Sequence, residues 1–158
     1  RVAELSISMA VEALRSGVRL VRDFQEVPHV LGSEHGLGQV FLNLLVNAAH
    51  ALRGREEPFI RLGIVRREDG QVAVEVQDNG CGIPAEHLSR LFEPFFTTKP
   101  VGTGTGLGLS ICHGIVTRLG GDISVDSAPG QGTTFRVVLP AAETRAVELE
   151  PLRHKRPA

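Results

Sequence analysis

The clearest signal in the chain is an apolar stripe at helical spacing. Phe41, Leu44, Leu45, Ala48 and Leu52 recur at steps of three and four, which predicts an amphipathic helix over Gln39–Arg53 with one buried face. Gly54 and Pro58 end it, and Ser33 is a credible N-cap upstream, with Gly36 and Gly38 weakening the first turn. The period then changes to two. Ile60, Leu62 and Ile64 alternate in one run, and Val72, Val74 and Val76 alternate against Gln71, Glu75 and Gln77 in the next. These are two strands, and Asp69-Gly70 between them is a hairpin signal. A second amphipathic helix is expected over Leu107–Leu119, with Ile111, Cys112, Ile115, Val116 and Leu119 on its buried side and Gly120-Gly121 as its stop. Ile123–Val125 and Phe135–Leu139 read as the last strands, joined by a turn at Pro129-Gly130.

Three segments carry weaker patterns. Ile7, Val11 and Leu14 predict a short helix over residues 5–15, and Val18–Arg22 a strand ended before Pro28. Leu88–Phe96 reads as a short helix running into a glycine-rich loop, Thr97–Thr105. From Ala141 to Ala158 no period survives, and the Glu, Arg and Pro content predicts a disordered tail or linker behind a domain of residues 1–140. There is no internal repeat. The sum is an α+β class: a mixed or antiparallel sheet covered by helices on one face.

Composition narrows the functional classes. With 158 residues, 42% hydrophobic and 22% charged, the chain is long enough for one buried core. A formal net charge of -1 gives no footprint for nucleic acid. No apolar run approaches bilayer length, and Arg1-Val2-Ala3-Glu4 reads as a cut inside a longer protein rather than a signal peptide. Cys81 and Cys112 lack metal-ligand spacing, which points to free thiols in a reducing cytoplasm.

Several residue groups have chemical potential. The alternation that turns Val72, Val74 and Val76 inward also turns Asp78 inward. A carboxylate on a core face needs hydrogen-bond donors. Asn79-Gly80-Cys81-Gly82-Ile83-Pro84 follows as a glycine turn that lets backbone approach a flat ligand. Asp78 therefore either accepts from an adenine amino group or caps its own turn. Asn43 and Asn47 lie one helical turn apart, with Gln39 and His50 extending their face. Their amide oxygens suit a hard cation such as magnesium, and the alternative is a solvated polar face. Gly102-Thr103-Gly104-Thr105-Gly106-Leu107-Gly108-Leu109-Ser110 opens a helix, where free N–H groups and the helix dipole favour an anion. It is neither a Walker A loop, which needs Gly-Lys-Ser/Thr, nor a dinucleotide fingerprint, which would need glycine at Leu109. Thr97-Thr98-Lys99 before it offers two hydroxyls and an ammonium, with Phe92, Phe95 and Phe96 as expected loop anchors. None of the six histidines has a companion at metal-ligand spacing; His29, His35, His87, His113 and His154 read as surface or packing residues.

Taken in order, these motifs resemble the ATP-binding domain of sensor histidine kinases. Asn43-x-x-x-Asn47 resembles the N box and Asp78-Asn79-Gly80-Cys81-Gly82-Ile83 the G1 box. Phe92-Glu93-Pro94-Phe95-Phe96-Thr97-Thr98-Lys99 resembles the F box, Gly104-Thr105-Gly106-Leu107-Gly108-Leu109 the G2 box, and Gly130-Gln131-Gly132-Thr133-Thr134-Phe135 the final glycine motif. The match runs over residues 5–140. The resemblance implies a Bergerat-type two-layer α/β sandwich, ATP and magnesium as ligands, and a lid over Thr97–Gly106. It implies that Asp78 accepts the adenine amino group, that Asn47 holds magnesium with Asn43 in support, and that Thr133 fixes water near adenine. His50 stands where the family often carries a phosphate-binding cation, a role it fills only if protonated or donating a hydrogen bond. Asn43, Asn47, His50 and Lys99 form the implied catalytic set. Ala51, Gly80, Gly82, Ile83, Thr97, Thr98 and the Gly104–Leu109 segment complete the implied nucleotide contacts.

Relatives of the same fold that hydrolyse ATP, including type II topoisomerases, MutL proteins and a heat-shock chaperone, use a carboxylate one turn before the magnesium asparagine. Here that position is Asn43, which cannot act as a general base. The resemblance therefore implies transfer of the phosphoryl group to a histidine on a separate dimerisation and phosphoacceptor domain, with a response regulator receiver domain downstream. None of the six histidines sits in the family's acceptor motif, so the fragment is expected to bind ATP as a monomer without phosphorylating itself. A stand-alone ATPase of this fold and an anti-sigma-type serine kinase are the alternatives.

Overall fold

The structure, a computed structural model, describes residues 1–10, 17–102 and 104–142. The expected helix residues Val11 and Leu14, Thr103 of the loop, and the segment 143–158 lie outside the described residues. The elements run α1 (Val2–Ala10), β1 (Arg19–Phe24), α2 (Glu34–Ala51), β2 (Phe59–Arg66), β3 (Val72–Asp78), α3 (Ala85–Leu88), α4 (Gly108–Arg118), β4 (Asp122–Ser127) and β5 (Thr133–Leu139). The five strands form one mixed sheet in the order β1-β2-β3-β5-β4, parallel between β1 and β2 and antiparallel elsewhere.

Register explains where the core lies. Leu62 of β2 pairs with Val76 of β3, Val76 with Phe135 of β5, and Phe135 with Val125 of β4. Ile64, Val74, Val137 and Ile123 form the next such row. These rows share one face of the sheet because side chains repeat every second residue. Against them α2 lays Leu37, Val40, Phe41, Leu44, Leu45 and Ala48, and α4 lays Cys112 and Val116; α1 adds Ala3 and Ile7. The opposite face carries ion pairs across strands, Asp23 with Arg61 and Glu75 with Arg136. A sheet with one apolar and one charged face is covered by helices on the apolar face alone, the α+β sandwich read from the pattern.

Some boundaries differ from expectation. The central helix begins at Glu34, where Ser33 is the expected N-cap and accepts the Gly36 N–H at 2.9 Å, and it ends at Ala51, two residues short of Arg53. Residues 88–96 do not form a helix. The helix there is α3, which ends at Leu88, and the chain continues through i+3 turns, Arg90 N–H to His87 carbonyl and Glu93 N–H to Arg90 carbonyl. Pro94 has no N–H to offer a longer helix and restricts Glu93 before it. Ile111 is 43% exposed rather than buried. The α4 stripe centres on Cys112 and Val116, and Ile111 sits a hundred degrees around the helix from Cys112. Ala141, expected in the tail, is buried and bridges to Val30.

Candidate functional site

The core-face rows turn polar at one end of the sheet. Leu20, Ile60, Asp78, Thr133 and Ser127 pair in succession across all five strands. The first two are apolar; the last three are a carboxylic acid and two alcohols. Asp78 is 4% exposed and Thr133 5%. Burial pushes the Asp78 carboxyl above its ordinary value, while the backbone N–H groups of Gly80 and Thr133 pull it back down. Asp78 accepts from Gly80 at 2.7 Å, so it does cap its own turn. A carboxylate has about four acceptor positions, and the donors named leave capacity for a ligand donor. The Thr133 hydroxyl lies 2.9 Å from that of Ser127, which also accepts the Ile83 N–H at 2.9 Å.

The glycine turn after Asp78 is shaped first by protein contacts. A Cβ on Gly82, whose φ is +72°, would stand 1.9 Å from the Ala128 carbonyl oxygen. The close approach required there is to the β4–β5 turn, a need the sequence reading assigned to the ligand. Cys81 ties the turn to both neighbours: its N–H donates to the Ala51 carbonyl at 3.0 Å, and its carbonyl accepts from Gly130 at 2.8 Å. Gly80 serves Asp78 from behind and does not line the cleft.

On α2, Asn43, Asn47, His50 and Ala51 face one cleft, as the helical spacing requires. Asn43 is held at both ends of its amide. It accepts from Gln39 Nε2 at 3.0 Å and donates to the Gly108 carbonyl at 3.1 Å. The Asn47 side chain makes no hydrogen bond among the described residues, so its amide oxygen is available to a hard cation. His50 Nδ1 lies 2.8 Å from Lys99 Nζ. An ammonium only donates, so Nδ1 accepts and the imidazole is neutral, with its proton on Nε2. Burial, then the charges of Lys99 and Arg53, lower the His50 pKa. His50 can therefore donate toward an anion from Nε2, the second of the two routes open to it.

The loop that follows the F-box segment hangs from a narrow neck. The Phe95 N–H donates to the Gly106 carbonyl at 2.9 Å. Gly106 has φ +68°, and a Cβ there would meet the Phe95 carbonyl carbon at 2.5 Å, so no other residue fits without moving the neck. Of the three expected anchors, Phe92 packs on the core and against His113, and Phe96 lies between His87 and Arg90. Phe95 anchors nothing: its left-handed backbone turns the ring outward, 75% exposed. The helix N-terminus is at Gly108, whose first-turn N–H groups have no intrahelical acceptor. Leu107 stands at the N-cap position without a side-chain capping bond and does not line the cleft; its own N–H donates to the Thr105 hydroxyl at 3.3 Å.

Together these elements enclose a cleft of about 600 Å³. It is lined by every predicted contact except Gly80 and Leu107: Asn43, Asn47, His50, Ala51, Asp78, Gly82, Ile83, Thr97, Thr98, Lys99, Gly104, Thr105, Gly106, Gly108, Leu109 and Thr133. Beyond apolar wall residues such as Leu42, Val46 and Leu91, two basic side chains that were not among the expected contacts line the cleft. Arg53 stands three positions beyond His50, a spacing that signals the same face. His87 packs edge-on against Phe96, in keeping with the packing role expected of it, and it also lines the cleft, where its Nδ1 is buried without a hydrogen-bond partner. No pattern in the sequence distinguishes it. No group of three or more His, Cys, Asp or Glu able to hold a metal occurs among the described residues.

Comparison with known proteins places this cleft in a family. Residues 32–143 match the profile described as histidine kinase-, DNA gyrase B-, and HSP90-like ATPase. Over 114 residues the chain is 47% identical to the sensor kinase CckA of Brucella abortus (strain 2308), covering 65% of this chain and 12% of that protein. Over 104 residues it is 45% identical to the signal transduction histidine-protein kinase AtoS of Escherichia coli (strain K12), covering 66% and 16%. The chain thus spans only a small part of these relatives. In three dimensions it is similar to the mycobacterial sensor histidine kinase MprB, with a TM-score of 0.77, 30% identity and coverage of 88% of this chain and 93% of that one. The chain belongs to the histidine kinase-, DNA gyrase B- and HSP90-like ATPase family, as a catalytic domain of its sensor histidine kinase branch.

Proposed function

We propose that the cleft binds Mg-ATP and presents its γ-phosphoryl group to a histidine on a separate dimerisation and phosphoacceptor domain. The observation that carries this reading is the pairing of two unlike ends within one cleft. The G1 turn is bonded to α2 at Ala51 and the start of α4 is bonded to it at Asn43. The two ties lie eight helical steps apart, about 12 Å at the α-helical rise. At the Ala51 end lies Asp78, an acceptor suited to an adenine amino group, with Thr133 beside it. Along the cleft stand Asn47, the Lys99–His50 pair and the N-terminus of α4, suited to magnesium and phosphate.

In this reading the acceptor histidine's nitrogen forms a bond to the γ-phosphorus, and the bond to the β,γ-bridging oxygen breaks. ADP leaves, with Lys99 and the α4 N–H groups balancing its charge. Magnesium, held at Asn47 and on the phosphates, would supply further charge neutralisation. Thr97, Thr98, Thr105 and the Gly104–Leu109 backbone shape the lid side. The phosphoryl group then passes to a response regulator receiver domain, in the cytoplasm. The chain alone is a monomer that takes no nucleic acid. Among the described residues no helix is long and apolar enough to cross a membrane.

Calorimetry with Mg-ATP, Mg-GTP and ATP in excess chelator tests the binding step. Preference for Mg-ATP over both is expected; absent heat with Mg-ATP, or equal affinity for Mg-GTP, sinks the reading. Incubation with a separately produced phosphoacceptor domain and labelled ATP tests the transfer.

A further inference from the structure

Lys99 is the lid's cation, and its partner is unusual. Among the described residues it makes no ion pair with a carboxylate. Its ammonium instead donates to the Nδ1 of His50, 2.8 Å away on α2. The other titratable or charged groups lining the cleft are Arg53, Asp78, Cys81 and His87. Arg53 repels both partners, and Asp78, the one carboxylate, is engaged by the N–H groups of Gly80 and Thr133. A carboxylate at position 50 would hold Lys99 equally well but would cancel its charge. A neutral imidazole fixes the ammonium in place and leaves the positive charge uncancelled.

We propose that His50 is a positioning residue for Lys99: it accepts the lysine ammonium and so holds the lid against α2 with its charge free for the ligand's terminal phosphate. The phosphate clause rests on the Mg-ATP reading above. The pair itself does not. The contact joins two segments that are 49 residues apart in the chain, and it is the one side-chain hydrogen bond recorded between the lid lysine and α2. The same geometry leaves the Nε2–H of His50 as a second donor beside the ammonium. Burial and the two neighbouring cations favour the neutral ring, consistent with its accepting role. Acid opens the pair, because an imidazolium and an ammonium are both donors only.

Two measurements on the full chain decide this. The first uses no nucleotide: nitrogen-15 NMR of the histidine rings across a pH titration. The expected result is a His50 ring protonated on Nε2, titrating below 6.5, whose pKa rises in Lys99→Met. A ring that titrates at the ordinary histidine value and ignores Lys99→Met overturns the pairing. The second is Mg-ATP affinity by calorimetry. His50→Leu should weaken it about tenfold, through loss of a hydrogen bond to a charged group. The same change should cost less in Lys99→Met than in the unaltered chain, because only the Nε2 donor is then left to lose. His50→Glu, which holds the lysine but cancels its charge, should weaken affinity at least as much as His50→Leu. Additive losses in the double variant, or full affinity in His50→Glu, overturn the proposal. If the unaltered chain fails to bind Mg-ATP, the functional reading falls, and the NMR result still decides the pair.

Discussion

The carboxamide of Asn43 joins α2 to α4, donating to the Gly108 carbonyl at 3.1 Å while it accepts from Gln39 at 3.0 Å. Both polar atoms of the side chain are thereby committed to the frame of the cleft. From the sequence alone, Asn43→Glu should raise ATP hydrolysis if geometry alone is limiting, because it restores the carboxylate of hydrolysing relatives. The structure adds a cost. A glutamate has no N–H for Gly108 and brings an anion toward that carbonyl. Asn43→Glu should lose about 1–3 kcal/mol of stability, read by urea denaturation, and any gain in hydrolysis should be small. A variant as stable as the parent would show that the amide is not a clamp.

Asp78 offers a separation of stability from binding. Burial raises its carboxyl above the ordinary value, so the folded chain holds this proton more tightly than the unfolded one. The stabilising contribution is full below the unfolded value near 3.8 and is lost as pH rises through the raised folded value. At neutral pH the ionised group therefore opposes folding. Asp78→Asn should keep or raise the thermal midpoint at pH 7 while Mg-ATP affinity falls by about 1–3 kcal/mol, the cost of a lost buried partner. Unchanged affinity by calorimetry would mean that adenine is read elsewhere.

Gly106→Ala tests the neck of the lid. The substitution forces a Cβ into the Phe95 backbone at a φ of +68°. It should lower stability by about 1–3 kcal/mol and open the segment from Thr97 to Thr105 to limited proteolysis. Nucleotide protection of that segment should be lost with it. An alanine variant cut no faster than the parent would show that the neck does not govern the lid.

After incubation with Mg-ATP, intact-mass spectrometry should find no stable phosphohistidine. The His50 Nδ1 is already bonded to Lys99, and none of the six histidines sits in the family's acceptor motif. A phosphorylated histidine anywhere in the chain would defeat the division of labour proposed for the separate acceptor domain.

The periodic elements were legible because their signals are local. Val72, Val74 and Val76 announce a half-buried strand, and that strand's phase alone carries Asp78 to the core face. Asn43, Asn47 and His50 share a face by helical arithmetic, whatever the tertiary fold. What escaped depends on contacts between distant segments. The Lys99–His50 bond, the Asn43–Gly108 clamp and the Gly82–Ala128 approach each join residues far apart in sequence. Residues 88–96 misled because an apolar run before Pro94 looks helical until the proline's missing donor is counted. The outward ring of Phe95 follows from one backbone angle, which side-chain type does not announce.

The row Leu20–Ile60–Asp78–Thr133–Ser127 crosses every strand of the sheet. A molecule held at Asp78 and Thr133 is consequently held by the whole sheet, and its release cannot be confined to one fraying edge. Ligand excess then acts as a global tether: at a hundred times the Kd it adds about 2.7 kcal/mol against unfolding. The slowest-exchanging amides of all five strands should gain the same protection, Leu20 on the far edge included.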